Sequence, residues 1–348
     1  MLRKLLIIFI SGCLFIAAAV VLLSWKQKEV LEQPLLLENE QVLNAPAGST
    51  PNALLAQLER DGILRGAVWL RLGWRLQGYV QPLHSGEYEL TPGMDVSQLL
   101  EKWRTGDVLQ YRVTLVEGWN FQQVRAALAQ QEKLAQTLAE VSDSELMRSL
   151  DQANVHPEGR FFPDTYNFVR GQTDLGILRQ ASQRLQKVLA EEWAERAEDL
   201  PYNSPDEALV MASIIEKETG VAHEREEIAG VFVRRLNIGM LLQTDPTVIY
   251  GMGESYNGKI TRADLRQPTP YNTYVISGLP PTPIAMVGRE AIYAALHPKP
   301  GKSLYFVARG DGSHVFSNSL AEHNRAVREY QLKRRADYRS SPAPSTAQ

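Results

Sequence analysis

The stretch LLIIFISGCLFIAAAVVLLSW, Leu5 to Trp25, carries no charged residue. As a helix rising 1.5 Å per residue it has the ~20 residues needed to cross the hydrocarbon core of a bilayer. Arg3 and Lys4 precede it, and Trp25 stands where an interfacial aromatic belongs. Lys26 and Lys28 follow, so the flanking charge is two-sided. A short basic N-terminus before a long exported chain predicts an N-in, C-out topology, with residues 1–4 cytoplasmic and 5–25 spanning. A cleaved signal peptide is the plainer alternative, but the run is too long and has no clean small-residue cleavage site. Lipoprotein processing at ISGC, Ile10 to Cys13, is opposed by the apolar residues that continue after Cys13.

Cys13 is the only cysteine and lies inside the span, so the part beyond it can form neither a disulfide nor a thiolate-ligated metal site. An oxidising compartment would not trouble it. The length of 348 residues suggests two ordinary domains, and 44% apolar with 22% charged residues is a globular composition. A net charge of −3 gives no case for nucleic acid, which calls for a basic stripe. The terminal SSPAPSTAQ is low in complexity, and residues 336–348 are expected to be disordered.

Residues 26–44 read as a polar juxtamembrane linker, followed by a small unit over 45–117. Within it, Thr50-Pro51 is an N-cap with proline at the first helical position. AVWLRLGWRLQ is amphipathic, SGEYEL alternates as a strand, Asp95 caps a helix ended near Gly106, and LQYRVTLVEG returns as a strand. Helical patterns over 119–153 and 173–198 flank HPEGRFFPDTYNF, and SLYFVARG near 303–310 reads as a strand. The expected class is α+β: a transmembrane helix, a small α/β unit, and a larger, mainly helical domain with a few strands over 118–335.

ALVMASIIEKETG, Ala208 to Gly220, holds the chemistry. Ser204, Pro205 and Glu207 form a capping box with proline at N1, and Gly220 is a natural stop, which predicts a helix over Pro205–Thr219. At about 100° per residue Glu216 and Glu218 lie about 200° apart, on nearly opposite faces. Glu218 follows Ile215, Ile214 and Met211 at i−3, i−4 and i−7 and so ends the apolar stripe. Glu216 follows Ser213, Ala212 and Leu209, a weaker face. Glu218 is therefore the one expected to be desolvated and held toward its neutral form, as an acid that protonates a glycosidic oxygen must be. The plainer reading is a helix-end carboxylate reaching to water.

Asp245, followed by Pro246, reads either as a helix cap or as a second carboxylate in a sugar cleft. The loop TPYNTYVISGLPPTPIA offers Tyr271, Asn272 and Tyr274 for sugar hydroxyls and ring stacking, with tight-turn packing as the alternative. Asp164 reads as a turn cap. His223 and Glu224 follow the helix without an H-E-x-x-H pattern, so no zinc site is predicted.

EGRFFPDTY (158–166), MASIIEKET (211–219), LQTDPTVIYG (242–251), YNTY (271–274), GLPP (278–281) and HVFSNSLAEHN (314–324), in that order, resemble the MltG-type endolytic murein transglycosylases, the YceG-like family. The resemblance covers nearly the whole chain. It implies a single-pass inner-membrane protein with a periplasmic catalytic domain over 118–335 and a LysM-like unit over 45–117. It implies cleavage of the β-1,4 bond between N-acetylmuramic acid and N-acetylglucosamine, and peptidoglycan synthases as neighbours that extend the strands it cuts. The family's catalytic glutamate falls on Glu218, with Glu216, Asp245, Tyr271, Asn272 and Tyr274 as candidates to orient it or to bind sugar. Such chemistry calls for no metal, nucleotide or redox cofactor. Two rivals stand beside it: a lysozyme-like muramidase using Asp245 as second carboxylate, and an inert peptidoglycan-binding scaffold.

Overall fold

The structure, a computed structural model, describes residues 2–332; the expected disordered tail lies outside them. α1 (Leu2–Glu32) is one unbroken helix that extends the charge-free run by seven residues past Trp25. Its last turn is not a linker, because Val30 is buried, and so are Leu35 and Leu43 just beyond. Apolar residues hidden among the polar ones of 26–44 turn that segment into part of a core.

The chain divides into two units. The first holds Met1–Arg112 with Glu132–Ala135 and Asn167–Gln172. After α1 it runs through β1 (Gln41–Ala45), α2 (Pro51–Arg60), α3 (Ala67–Gln77), β2 (Gly86–Leu90) and α4 (Val96–Thr105). β1 and β2 pair antiparallel, Gln41 opposite Leu90 and Ala45 opposite Gly86. The caps follow the sequence: Thr50 Oγ1 accepts from Ala53 N, and Asp95 and Gln98 form a reciprocal capping box. Leu55, Leu58, Leu70, Tyr88, Leu99 and Trp103 are among the fully buried side chains. On β2 the buried Glu87 accepts from Arg170 Nη1 at 2.9 Å, Lys133 Nζ at 3.3 Å and the Tyr111 hydroxyl. Burial pushes its carboxyl up, but these partners outweigh burial and hold it below the ordinary glutamate value.

β3 (Tyr111–Thr114) pairs with β4 (Thr165–Phe168). Between them come α5 (Phe121–Ala129) and α6 (Asp143–Ser149), then α7 (Asp174–Ala194), α8 (Pro205–Glu218), α9 (Arg225–Asn237), α10 (Asp245–Met252), α11 (Arg289–Leu296), the β5–β6 hairpin (Tyr305–Ala308, His314–Ser317) and α12 (Leu320–Tyr330). This second unit is mainly helical. α8 is its axis, with α7, α9, α10 and α11 packed around it. Ala208 to Ile215 is buried without interruption, so α8 is hydrophobic all round rather than striped.

Candidate active site

Burial on every face settles how α8 presents its two glutamates. The stripe predicted from Met211, Ile214 and Ile215 does not single out one side, since Leu209, Ala212 and Ser213 are buried too. α8 emerges only at its C-terminal end, where Glu216 and Glu218 are both half-buried and Lys217 is exposed. The helix stops because Thr219 turns extended, at φ −144° and ψ 135°, not through a left-handed Gly220. At the start, Ser204 Oγ accepts from Glu207 N at 3.3 Å, but the Glu207 carboxylate reaches Asn203 N at 2.7 Å, so the expected box closes one residue early.

A cleft of ≈ 340 Å³ opens at this helix end. It lies within the size range of small-ligand sites. Glu216, Lys217 and Glu218 form one wall, the Glu117–Trp119 segment another, and Gly312 at the tip of the β5–β6 hairpin borders it. Two residues about 200° apart on a helix share one cleft because it sits over the end of the helix, not along its side. Backbone pairing fixes the opposite wall: Gly118 N donates to Met286 O at 2.9 Å, and Met286 N donates to Trp119 O at 2.7 Å. Lys217 Nζ reaches across to Gly118 O at 3.0 Å. Ser213 Oγ accepts from Ile284 N at 3.0 Å and Gly288 N donates to Glu216 Oε2 at 3.2 Å, which ties the 284–288 segment along α8.

Burial raises the Glu218 carboxyl to about 7, against a hydrogen bond from Thr244 that lowers it, the Asp245 charge that raises it and Arg235 that lowers it. The Thr244 hydroxyl donates to Glu218 Oε1. Arg235 is itself buried, donating from Nε to Leu304 O at 2.7 Å and from Nη1 to Leu242 O at 2.6 Å. Asp245 accepts the Tyr274 hydroxyl at 2.6 Å. Thr244 thus bonds Glu218, Tyr274 bonds Asp245, and the Asp245 and Arg235 charges act on Glu218, whose carboxyl lies close to its half-protonation point at neutral pH.

Glu216 is raised to about 7 as well, by burial first and then by the neighbouring Glu117 carboxylate, and it is eased by the Gly288 N–H. The expectation that only Glu218 is desolvated therefore fails: an all-round buried helix desolvates both carboxylates at its end. The two differ in their partners. Glu218 accepts from a hydroxyl, whereas Glu216 accepts from a backbone N–H; each also has acid and guanidinium neighbours, Asp245 and Arg235 for Glu218, Glu117 and Arg225 for Glu216.

The other predicted residues separate. Asp245 is the first residue of α10, not its cap; Thr244 holds the cap position, and its hydroxyl serves Glu218 instead of the helix. Tyr271 shares a hydrogen bond with Thr282 at 2.8 Å and stands edge-on to Tyr250, ring centroids 4.8 Å apart. Asn272 is buried, donating to Asp264 O and Gln267 O and accepting from Tyr274 N. It holds the loop, and neither it nor Tyr271 bonds Glu218. Asp164 pairs with Arg184 at 2.6 Å. Glu224 is buried on His314 Nδ1 at 2.7 Å.

Sequence reading misses Thr244, Arg235, Glu117, Trp119 and the buried Glu158. Glu158 accepts Phe121 N and the Tyr250 hydroxyl, and burial lifts it to about 7. Thr244 left one legible sign, a threonine at a cap position before Asp-Pro. Gln243 beside it holds φ at 50°, a left-handed conformation that disfavours side chains, and such backbone strain gathers at functional sites.

The profile of the YceG-like family matches residues 43–329. The chain belongs to the YceG-like family. The endolytic murein transglycosylase of Bacillus subtilis strain 168 is 32% identical over 305 residues, covering 83% of this chain and 84% of that protein. The endolytic murein transglycosylase of Streptococcus pneumoniae serotype 2 strain D39 is 27% identical over 319 residues, covering 82% of this chain and 57% of that longer protein. A crystal structure of a yceG-like protein from Listeria monocytogenes, 32% identical, superposes with a TM-score of 0.54 over 83% of this chain and 99% of its own.

Proposed function

We propose that this YceG-like chain is a membrane-anchored endolytic murein transglycosylase that cuts the β-1,4 bond between N-acetylmuramic acid and N-acetylglucosamine within glycan strands and leaves 1,6-anhydro ends. The observation that carries this reading is the Glu218 carboxyl, raised to about 7 at the edge of a cleft and held on one oxygen by Thr244. Protonated Glu218 gives its proton to the glycosidic oxygen, and that bond breaks as positive charge develops at the muramyl C1. The carboxylate then takes the proton of the muramyl C6 hydroxyl, whose oxygen closes on C1. The nucleophile is tethered to its target, so it acts at high effective concentration and water is not needed. Thr244 occupies Oε1, which leaves Oε2 to carry the proton in both directions.

α1 anchors the protein in the inner membrane with the N-terminus cytoplasmic and the catalytic unit periplasmic. From there it trims strands as peptidoglycan synthases extend them. The β1–α2–α3–β2 order of the first unit supports a LysM-like glycan-binding role.

Product analysis tests the reaction. Purified sacculi digested in ¹⁸O water should yield muropeptides with unlabelled anhydro ends. Labelled reducing ends would replace the transglycosylase by a muramidase that uses Asp245. Sacculi bound but left intact by the wild-type protein would leave only a scaffold.

A further inference from the structure

The part of α1 beyond the apolar run is a packing partner for α3. A Cβ on Gly66 would lie 3.3 Å from Val30 Cγ2, and one on Gly73 would fall 1.7 Å from Gln27 Nε2. The Gln27 side chain, two residues past Trp25, thus lies flat against α3 at Gly73. Trp74, Gln77 and Tyr79 share a crevice with Ser24 and Gln27. α3 therefore runs obliquely back along α1, from the level of Val30 at its start toward the level of Ser24 at its end. Its C-terminal end comes down to where the charge-free run stops.

The outward face of α3 is apolar at that end. Val68, Leu72 and Leu76, four residues apart, are 50%, 41% and 69% exposed. Tyr79 and Val80 continue the patch at 48% and 81%. The exposed Arg75 flanks it, and on α1 the exposed Trp25 stands at the same boundary. An apolar helix face with a basic flank and an interfacial aromatic is what lies in the headgroup layer of a bilayer. Such a patch on a soluble surface would be a liability.

We propose that the Leu72–Leu76–Tyr79–Val80 face is a membrane-surface contact, seated in the leaflet from which Trp25 emerges. It rests on the reading of α1 as a spanning anchor. With two points of attachment, the span and the α3 end, the first unit is fixed in orientation on the bilayer instead of swivelling on a single helix. Arg75 reaches the lipid phosphates, which makes the contact stronger with anionic lipid.

The test uses the full chain with a fluorescent NBD label, one copy per nanodisc of phosphatidylethanolamine and phosphatidylglycerol. The native Cys13 carries one label; Cys13→Ala combined with Leu76→Cys, Val80→Cys or Leu36→Cys carries the others. Leu36 is exposed and follows Glu32, the end of α1, which lies about 10 Å along the helix axis past Trp25. Expected are quenching of Cys13 by deep doxyl lipids, quenching of Leu76 and Val80 by shallow ones with blue-shifted emission and protection from iodide, and full iodide access at Leu36. If Cys13 is lipid-quenched while Leu76 and Val80 are as open to iodide as Leu36, the contact is absent and the anchor stands. If Cys13 itself is open to iodide, the anchor reading falls and takes this proposal with it. Protection at Leu76 and Val80 without quenching by any doxyl lipid overturns it in favour of a protein cover.

Discussion

At the scale of single residues, the proposed chemistry rests on how Glu218 is held. Burial lifts its carboxyl to about 7, so the acid form persists at neutral pH. Activity should therefore fall as pH rises through about 7, in sacculus digestion followed across pH. Glu218→Gln cannot transfer the proton and should lose roughly 10²–10⁴-fold in rate while its melting curve at pH 6 stays cooperative. Thr244 offers a finer test. Its hydroxyl donates to Glu218 and favours the charged form, so it holds the carboxyl below where burial alone would put it. Thr244→Val keeps the branched shape and removes the donor. The basic limb of the pH profile should then move to higher pH. An unmoved limb with a uniformly lower rate would reduce Thr244 to a packing role. Glu216, raised equally but facing Glu117 and the Gly288 N–H, has no such hydroxyl.

At the scale of elements, the cleft is assembled from segments far apart in sequence. The β5–β6 hairpin brings Gly312 to the cleft and is pinned by His314. His314 Nδ1 meets Glu224 Oε2 at 2.7 Å, and its backbone N donates to Glu224 Oε1 at 2.9 Å, both side chains less than a tenth exposed. Glu224 lies in the turn just after Glu218, so the pair ties the hairpin to the end of α8. His314→Ala leaves the Glu224 side chain buried with only the backbone donor. It should cost about 1–3 kcal/mol, seen as a lower urea midpoint at unchanged slope. Glu224→Gln retains a hydrogen-bonding side chain and should cost less.

The same scale shows what the sequence can and cannot convey. The start of α8 is legible in Ser204-Pro205 because caps are local chemistry. Its end falls within one residue of the expected Thr219, but the cause is not legible: Thr219 turns extended in a tertiary setting, where the sequence predicts a left-handed Gly220. The apolar stripe points to Glu218 but overlooks Glu216, since a periodic pattern cannot reveal that other helices cover the remaining face. Thr244 and Arg235 escape notice for the same reason, being a threonine and an arginine that only the fold brings beside Glu218. Residues 26–44 look like a linker because Val30, Leu35 and Leu43 are isolated apolar positions whose partners are distant.

At the scale of the whole molecule, the second unit carries three carboxyls, Glu158, Glu216 and Glu218, each raised to about 7 by burial. Each titrates near 4.5 when unfolded, so between 4.5 and 7 the folded chain binds more protons than the unfolded one. Their stabilisation is complete below 4.5 and is lost as pH rises through about 7. Glu87 in the first unit has the opposite sign. Its carboxyl is held low, so its contribution is present above 4.5 and is lost as pH falls through its folded value. Acids held in surface ion pairs are already ionised at pH 5 and would leave stability nearly flat from pH 5 to 8. The three buried carboxyls should make it fall, against an opposing gain from His156 and His323, whose imidazoles burial holds below the ordinary value. Glu158 isolates the effect, because it is 3% exposed and lies outside the group around Glu218. Ionising it in place costs up to about 3 kcal/mol, at 1.36 kcal/mol for each pH unit between its two values. Glu158→Gln resembles the protonated acid at every pH. It should match the wild type near pH 5 and exceed it near pH 8 in urea unfolding. If the two proteins lose stability in parallel over that range, Glu158 is charged in the fold, and the loss belongs to the two glutamates at the cleft.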